Sequence, residues 1–179
     1  MNELILDILQ QLRDSSQGAL DAHQLEILIN SHNSGIDSSA HSTEREKLIP
    51  KRAILPYFLQ VKQKNNELWQ SWNVTPELEE RFIRSVRMKP RRTASGVATI
   101  TVITRPHTCS SNCIYCPCDL RMPKSYLANE PACQRAELTF FDPYVQVAAR
   151  LQALHQMGHS TDKVELIVLG GTWSDYPEG

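Results

Sequence analysis

An α/β fold behind a helical N-terminal half is what this 179-residue sequence predicts, on three observations. Apolar residues recur at helical spacing as far as about Arg87. A β-branched run follows at Val97-Ala-Thr-Ile-Thr-Val-Ile-Thr104. A second apolar run, Val164-Glu-Leu-Ile-Val-Leu169, ends in Gly170-Gly171. With a helix between them, the two runs read as strand, loop, helix, strand, which implies parallel strands and a right-handed crossover. The chain divides on this reading into a helical domain, 1–88, and an α/β portion, 89–179.

Each element has a local cause. Leu4, Ile5, Ile8, Leu9 and Leu12 form one stripe of a helix over about Asn2 to Arg13, with Asn2 as the expected cap. A second helix is expected around Leu20 to Ile29. The Ser, Asn, Gly and Asp residues of Ser31 to Ser42 then read as a loop, and Thr43-Glu-Arg-Glu46 has capping-box form. Pro56 lacks an N–H and is expected to end one helix near Leu55 or begin another. Thr75-Pro76-Glu77 is a helix start, Thr as cap and Pro in the first turn, with the helix running to about Arg87. After the Val97 to Thr104 strand, Asp142-Pro143 opens a helix with Tyr144, Val147, Ala148, Leu151 and Leu154 on one face and Gly158 as its stop.

Composition narrows the class. The apolar share of 41% is ordinary for a globular protein, and no apolar run approaches the about 20 residues of a membrane span. The acidic start, Met1-Asn-Glu-Leu-Ile-Leu-Asp7, is unlike a signal peptide, so a cytoplasmic protein is expected. Four of the five cysteines crowd between Cys109 and Cys118, a pattern of metal binding rather than of a disulfide scaffold. The net charge of -1 conceals a stretch from Arg81 to Arg105 that holds Arg84, Arg87, Lys89, Arg91 and Arg92 and no acid. Such a stripe suits phosphate, and its bland alternative is a solvated helix face and linker.

The chemistry concentrates in Arg105-Pro-His-Thr-Cys-Ser-Ser-Asn-Cys-Ile-Tyr-Cys-Pro117. Cys109, Cys113 and Cys116 offer three thiolates on one loop, which suits an iron–sulfur cluster with one iron free of protein ligands. The same cysteines, completed by Cys118 or His107, also suit a closed structural zinc site. Gly170, Gly171 and Thr172 follow the second strand at its carboxyl end, where α/β sheets place ligands, though a Gly-Gly pair alone is more often a turn. Tyr115 by itself reads as a packing aromatic, Lys163 as a surface lysine, and Cys133 as an ordinary helix or loop thiol.

The strand followed by this cysteine run, with an aromatic before the third cysteine, resembles the signature of radical S-adenosylmethionine enzymes. Further stretches resemble more narrowly the catalytic subunit of Elongator and its stand-alone prokaryotic relatives. They are Lys89-Pro-Arg-Arg-Thr-Ala-Ser-Gly96, Cys113-Ile-Tyr-Cys-Pro117, Ser125-Tyr126 with Glu130-Pro131, Arg135-Ala136, Phe141-Asp-Pro-Tyr144 with Gln146, Gly158-His159, Asp162-Lys-Val-Glu165 and Gly170-Gly-Thr172. The resemblance implies that 89–179 begins a radical S-adenosylmethionine partial (β/α) barrel and that 1–88 is a tRNA-binding domain. It also implies carboxymethylation of the wobble uridine of tRNA at C5. A 5'-deoxyadenosyl radical would take hydrogen from the acetyl group of acetyl-coenzyme A, the carbon radical would add to the base, and thioester hydrolysis would follow. By the same resemblance Cys109, Cys113 and Cys116 hold a 4Fe-4S cluster, and Tyr115 with Gly170, Gly171 and Thr172 seats S-adenosyl-L-methionine. Lys163 meets acetyl-coenzyme A, and Arg84, Arg87, Lys89, Arg91 and Arg92 hold RNA phosphates. No residue is assigned a catalytic role.

Three departures qualify the match. The plain three-residue gap between Cys109 and Cys113 is shorter than many members have, and Cys118 stands where Gly is usual. The sequence given stops at Gly179, before the later barrel and the acetyltransferase-like domain, so it is expected to be inactive alone. Two rival readings are a non-catalytic RNA-binding module with a structural zinc site and a radical S-adenosylmethionine enzyme with another substrate.

Overall fold

In the computed structural model, which describes residues 1–15, 18–34, 48–117 and 119–177, the chain forms two compact units. The first comprises Met1–Pro90 with Gln156–His159, the second Arg91–His155 with Ser160–Gly179.

The first unit is helical throughout its described residues: α1 Asn2–Asp14, α2 Ala22–Asn33, α3 Lys51–Lys64, α4 Asn66–Ser71 and α5 Pro76–Val86. The expected stripe of α1, Leu4 to Leu12, is wholly buried. Asn2 is not its cap, however. Met1 holds the cap position without a side-chain bond, and Asn2 Oδ1 instead accepts the Tyr57 hydroxyl at 2.7 Å. α2 carries a capping box between Asp21 and Gln24 and extends past Ile29 into the expected loop. The Thr43–Glu46 capping box lies outside the described residues. α3 runs straight through Pro56, contrary to expectation, because Ile54, Leu55, Phe58 and Val61 bury on either side of it and packing outweighs the one lost hydrogen bond. α5 begins as expected, with Thr75 Oγ1 accepting the Leu78 N–H at 3.2 Å.

Aromatic rings fill the centre of this unit. Phe58 stacks on Phe82 at 4.1 Å between centroids and on Trp72 at 5.9 Å, and Trp69 meets it edge-on at 5.1 Å. Buried Ser85 both donates to the Arg81 carbonyl and accepts the Leu20 N–H. Arg81 donates to the Ser15 and Gly18 carbonyls.

The second unit holds a two-stranded parallel sheet, β1 Ala98–Ile103 and β2 Val164–Leu169, in register from Ala98 opposite Val164 to Ile103 opposite Leu169. Helix α6, Pro131–Leu138, was not anticipated; α7 spans Pro143–Gln156. The chain is α/β as expected. Asp142 caps α7, accepting the Val145 N–H at 2.9 Å; of the expected face Leu154 is buried and Val147 and Leu151 are half-buried, but Tyr144 and Ala148 are exposed. Tyr144 is 81% exposed, whereas Gln146 and Leu154 are buried. The reason is polar: the Gln146 amide donates to the Ile103 carbonyl and accepts the Ile103 N–H, both at 2.9 Å, supplying a strand-like partner at the edge of β1. Beneath it Ile103, Met122, Cys133 and Ala136 form a small core, with Tyr126, Phe141 and Leu169 packed against it. Burial pushes the Cys133 thiol pKa up, and its sulfur faces Glu130. No helix among the described residues is long and apolar enough to cross a membrane.

Candidate functional site

Parallel strands send their following loops off the same edge of a sheet, so the cysteine loop after β1 meets the glycine turn after β2. The ladder continues one step beyond the strands, Thr104 N–H to the Leu169 carbonyl at 2.9 Å. A β-carbon on Gly170 would lie 2.2 Å from Thr104 Oγ1 and 3.0 Å from the Tyr176 hydroxyl, so this approach admits only glycine.

The cavity between these loops measures about 390 Å³. Cys109, Cys113 and Cys116 line it together with Tyr115, and Gly170, Gly171 and Thr172 form the facing wall. Residues predicted from two places in the sequence thus share one space. The Cys113 to Cys116 segment is a tight turn, closed by the Cys116 N–H on the Cys113 carbonyl at 3.2 Å. Cys113 is exposed and the other two are half-buried, while Tyr115 is 86% exposed. Cys109 Sγ lies 3.1 Å from Thr172 Oγ1, and that hydroxyl contact, ahead of the Ser111 backbone N–H, lowers the thiol pKa.

A second set of residues, not singled out in the sequence, braces the cysteine loop. Asp175 accepts the Ser110 backbone N–H at 2.7 Å and its hydroxyl at 3.1 Å. The Ser110 backbone bond, first among the causes, holds the Asp175 carboxyl below its usual pKa. The Tyr176 hydroxyl lies 2.7 Å from Thr104 Oγ1, accepts the Gly171 N–H at 3.2 Å and donates to the Arg105 carbonyl at 3.3 Å. Its ring sits 5.2 Å from that of His107. Ser125, 3.5 Å from Cys116 Sγ, and Lys124 also line the cavity. Only a Tyr and an Asp shortly after a glycine pair signalled the brace in the sequence.

The donor set suits a cluster. Thiolates are the usual ligands of iron–sulfur groups, and here three cysteines line one space. A lone zinc ion needs its sulfurs about 2.3 Å from one point. Among the described residues no three His, Cys, Asp or Glu side chains stand so as to hold an ion, Cys109, Cys113 and Cys116 included. Cys118 lies outside the described residues.

The other expected site residues stand elsewhere. Lys163 is exposed at the amino end of β2, its carbonyl accepting the Ala98 N–H, so it lies about 23 Å along the strand from Gly170 at ~3.3 Å per residue. Arg84 pairs with Glu80 at 2.5 Å, just upstream of the acid-free stretch. Arg87 is half-buried with Nε unpartnered, whereas Lys89, Arg91 and Arg92 are exposed. Arg84, Arg87 and Lys89 belong to the first unit, Arg91 and Arg92 to the second.

No family model matches the chain. It is 45% identical over 105 residues to a tRNA uridine(34) acetyltransferase of Methanocaldococcus infernus, an alignment covering 55% of this chain and 20% of that protein. It is 48% identical over 85 residues to one from Dehalococcoides mccartyi, covering 48% and 18%. Elongator complex protein 3 of Bos taurus is 40% identical over 116 residues, covering 59% and 21%. The chain is thus similar to a part of these tRNA uridine(34) acetyltransferases and of Elongator complex protein 3. It spans about a fifth of the length of the curated relatives it matches. The cysteine run and the glycine turn of this chain, far apart in sequence, are the two walls of the cavity described above.

Proposed function

We propose that this chain carries the cofactor-binding part of a radical S-adenosylmethionine enzyme that modifies the wobble uridine of tRNA in the cytoplasm. The observation that carries the reading is the shared cavity, in which Cys109, Cys113 and Cys116 face Gly170, Gly171 and Thr172. The three cysteines would hold a 4Fe-4S cluster, and Tyr115 with the glycine turn would seat S-adenosyl-L-methionine. A cluster held there would, once reduced, supply the one electron that cleaves a carbon–sulfur bond of the sulfonium to a thioether and a carbon radical.

The chain's own residues have definite tasks in this scheme. The Thr172 hydroxyl favours the thiolate of Cys109, the form that ligates metal. Gly170 lets the turn close on Thr104 and Tyr176, and Gly170 and Gly171 line the cavity, where their backbone groups would meet the ligand's polar end. Asp175 and Tyr176 fix the loop at Ser110 and Thr104. The names of the relatives supply the substrate, uridine 34 of tRNA, and the acetyl transfer. We extend them to C5 carboxymethylation with acetyl-coenzyme A as co-substrate. Lys163, distant from the cavity, would then meet a phosphate of the coenzyme rather than its thioester. Lys89, Arg91 and Arg92, exposed and acid-free, would hold RNA phosphate, with Arg84 and Arg87 beside them in sequence.

Anaerobic reconstitution with iron and sulfide tests the reading. Brown material with iron and acid-labile sulfide in equal amounts, lost when Cys113 is changed to Ala, is the expected result. Colourless protein with one zinc per chain would replace the enzyme with a zinc-bearing RNA-binding module.

A further inference from the structure

A second cavity, of about 210 Å³, opens among α6, α7 and β1 and shares no lining residue with the cysteine cavity. Its walls are mostly apolar, from Ala132 and Leu138 of α6 and Ala149 and Ala153 of α7. The side chains of Arg135 and Arg150, each carrying a cationic head on an aliphatic stem, line the same space. Gln146 also borders it, but its amide is committed to both backbone groups of Ile103. The Thr139 hydroxyl is likewise committed, donating to the Ala136 carbonyl. The polar capacity left for a ligand is therefore cationic, with the Thr101 hydroxyl beside it.

Two like charges gathered on an apolar cavity repel each other and lose hydration, a cost that an anion between them removes. Among the described residues neither Arg135 nor Arg150 has an ion-pair partner. Arg150 responds to this: burial first, then the charges of Arg92 and Arg135, lower its pKa. Guanidinium forks match phosphate oxygens two at a time, and the alanine-lined walls offer contact to an apolar body. The volume lies below the ~300 Å³ where drug-sized sites begin, which limits the ligand to about one ring beside its anionic group.

We propose that the cavity lined by Arg135, Arg150 and the α6 and α7 alanines binds a small organic phosphate ester with a compact apolar body. The proposal is independent of the cluster reading, because no residue of the cysteine cavity enters it.

Calorimetric titration of the full chain with phenyl phosphate, inorganic phosphate and phenol tests it. Phenyl phosphate is expected to bind with one-site saturation, about tenfold or more tighter than inorganic phosphate, with phenol weaker than either. Arg150→Gln should weaken phenyl phosphate by roughly tenfold, the loss of one charge-assisted fork. Ala153→Leu keeps every charge but fills the cavity, and should abolish the preference for the aryl ester. Arg52→Gln, at an exposed arginine of α3, should change nothing. Circular dichroism checks that each variant is folded. Equal affinity for the two phosphates would overturn the proposal, as would indifference to both cavity variants. Binding of an RNA oligonucleotide without saturable binding of phenyl phosphate would overturn it too, making the arginines a nucleic-acid surface instead.

Discussion

The first unit is held together by packing and the second by polar ties. Around Phe58 the helices bury a continuous set of apolar side chains, Leu4 to Leu12 from α1, Ile54 to Val61 from α3 and Leu78 to Val86 from α5. The second unit has a cluster of four buried residues, with Ala98, Ile100, Val102 and Leu154 buried outside it, and β2 leaves Leu166, Ile167 and Val168 between 37% and 54% exposed. Its fixed points are hydrogen bonds: Gln146 to Ile103, Tyr176 to Thr104, Asp175 to Ser110. A packed core tolerates little open space, whereas a few directed bonds can brace loops around a cavity. The first unit also carries a cavity, of about 370 Å³ beside Gln11, Leu20 and Ile27, so it is the residues that line the space, not its presence, that set the second unit apart.

The largest expected effect lies in the packed unit. Phe82 is fully buried and stacked on Phe58, so Phe82→Ala should cost about 3–5 kcal/mol, read by urea unfolding followed through Trp69 and Trp72 fluorescence. Slow amide exchange at Ile103 should survive urea concentrations that unfold the helices. If Ile103 loses protection in step, the two units unfold as one and the contrast between them fails.

Next in size is the tie at the edge of β1. Gln146→Leu keeps the volume but strands the Ile103 N–H and carbonyl, both of a residue 1% exposed, and should cost about 1–3 kcal/mol. Urea unfolding and amide exchange at Ile103 measure it. A neutral result would mean that apolar packing, not the amide, holds α7 to the sheet.

The same contrast governs what could be read from sequence. Features with a local cause were legible: the Thr75 cap with Pro76, the β-branched run of β1, the cysteine turn and the glycine pair. Pro56 misled because burial on both sides of it is a property of the assembled helices, not of the local chain. The face of α7 was legible only in part, at Leu154, because hydrophobic periodicity looks for apolar residues, and the other buried anchor is an amide. The braces of the cysteine loop act across 65 and 72 residues, from Asp175 to Ser110 and from Tyr176 to Thr104, a pairing no periodicity encodes. The walls of the candidate site were therefore visible, and the residues that set their separation were not.

A smaller effect is expected at the brace itself. Tyr176→Phe keeps the ring beside His107 but removes the acceptor of the Gly171 N–H and the partner of Thr104. About 1 kcal/mol should be lost, seen as roughly fivefold faster exchange of the Gly171 amide. Unchanged exchange would shift the bracing role to Asp175 alone.

The smallest effect concerns acid. Arg121 grips the Asp119 carboxylate through its guanidinium, at 2.7 Å and 3.0 Å, and through its backbone N–H at 3.0 Å. These bonds, the side-chain ones first, lower the Asp119 pKa from 3.8 to about 2. A carboxyl whose folded pKa is depressed stabilises the fold in full above its unfolded value and loses that contribution as pH falls through the folded one. The tie should therefore persist through mild acid and fail only between about pH 4 and pH 2. A carboxyl-carbon NMR titration of Asp119 should place its midpoint near the lower end of that window. A midpoint near 4 would mean that solvent has replaced Arg121, and that this loop is not held by a directed polar bond as the rest of the second unit is.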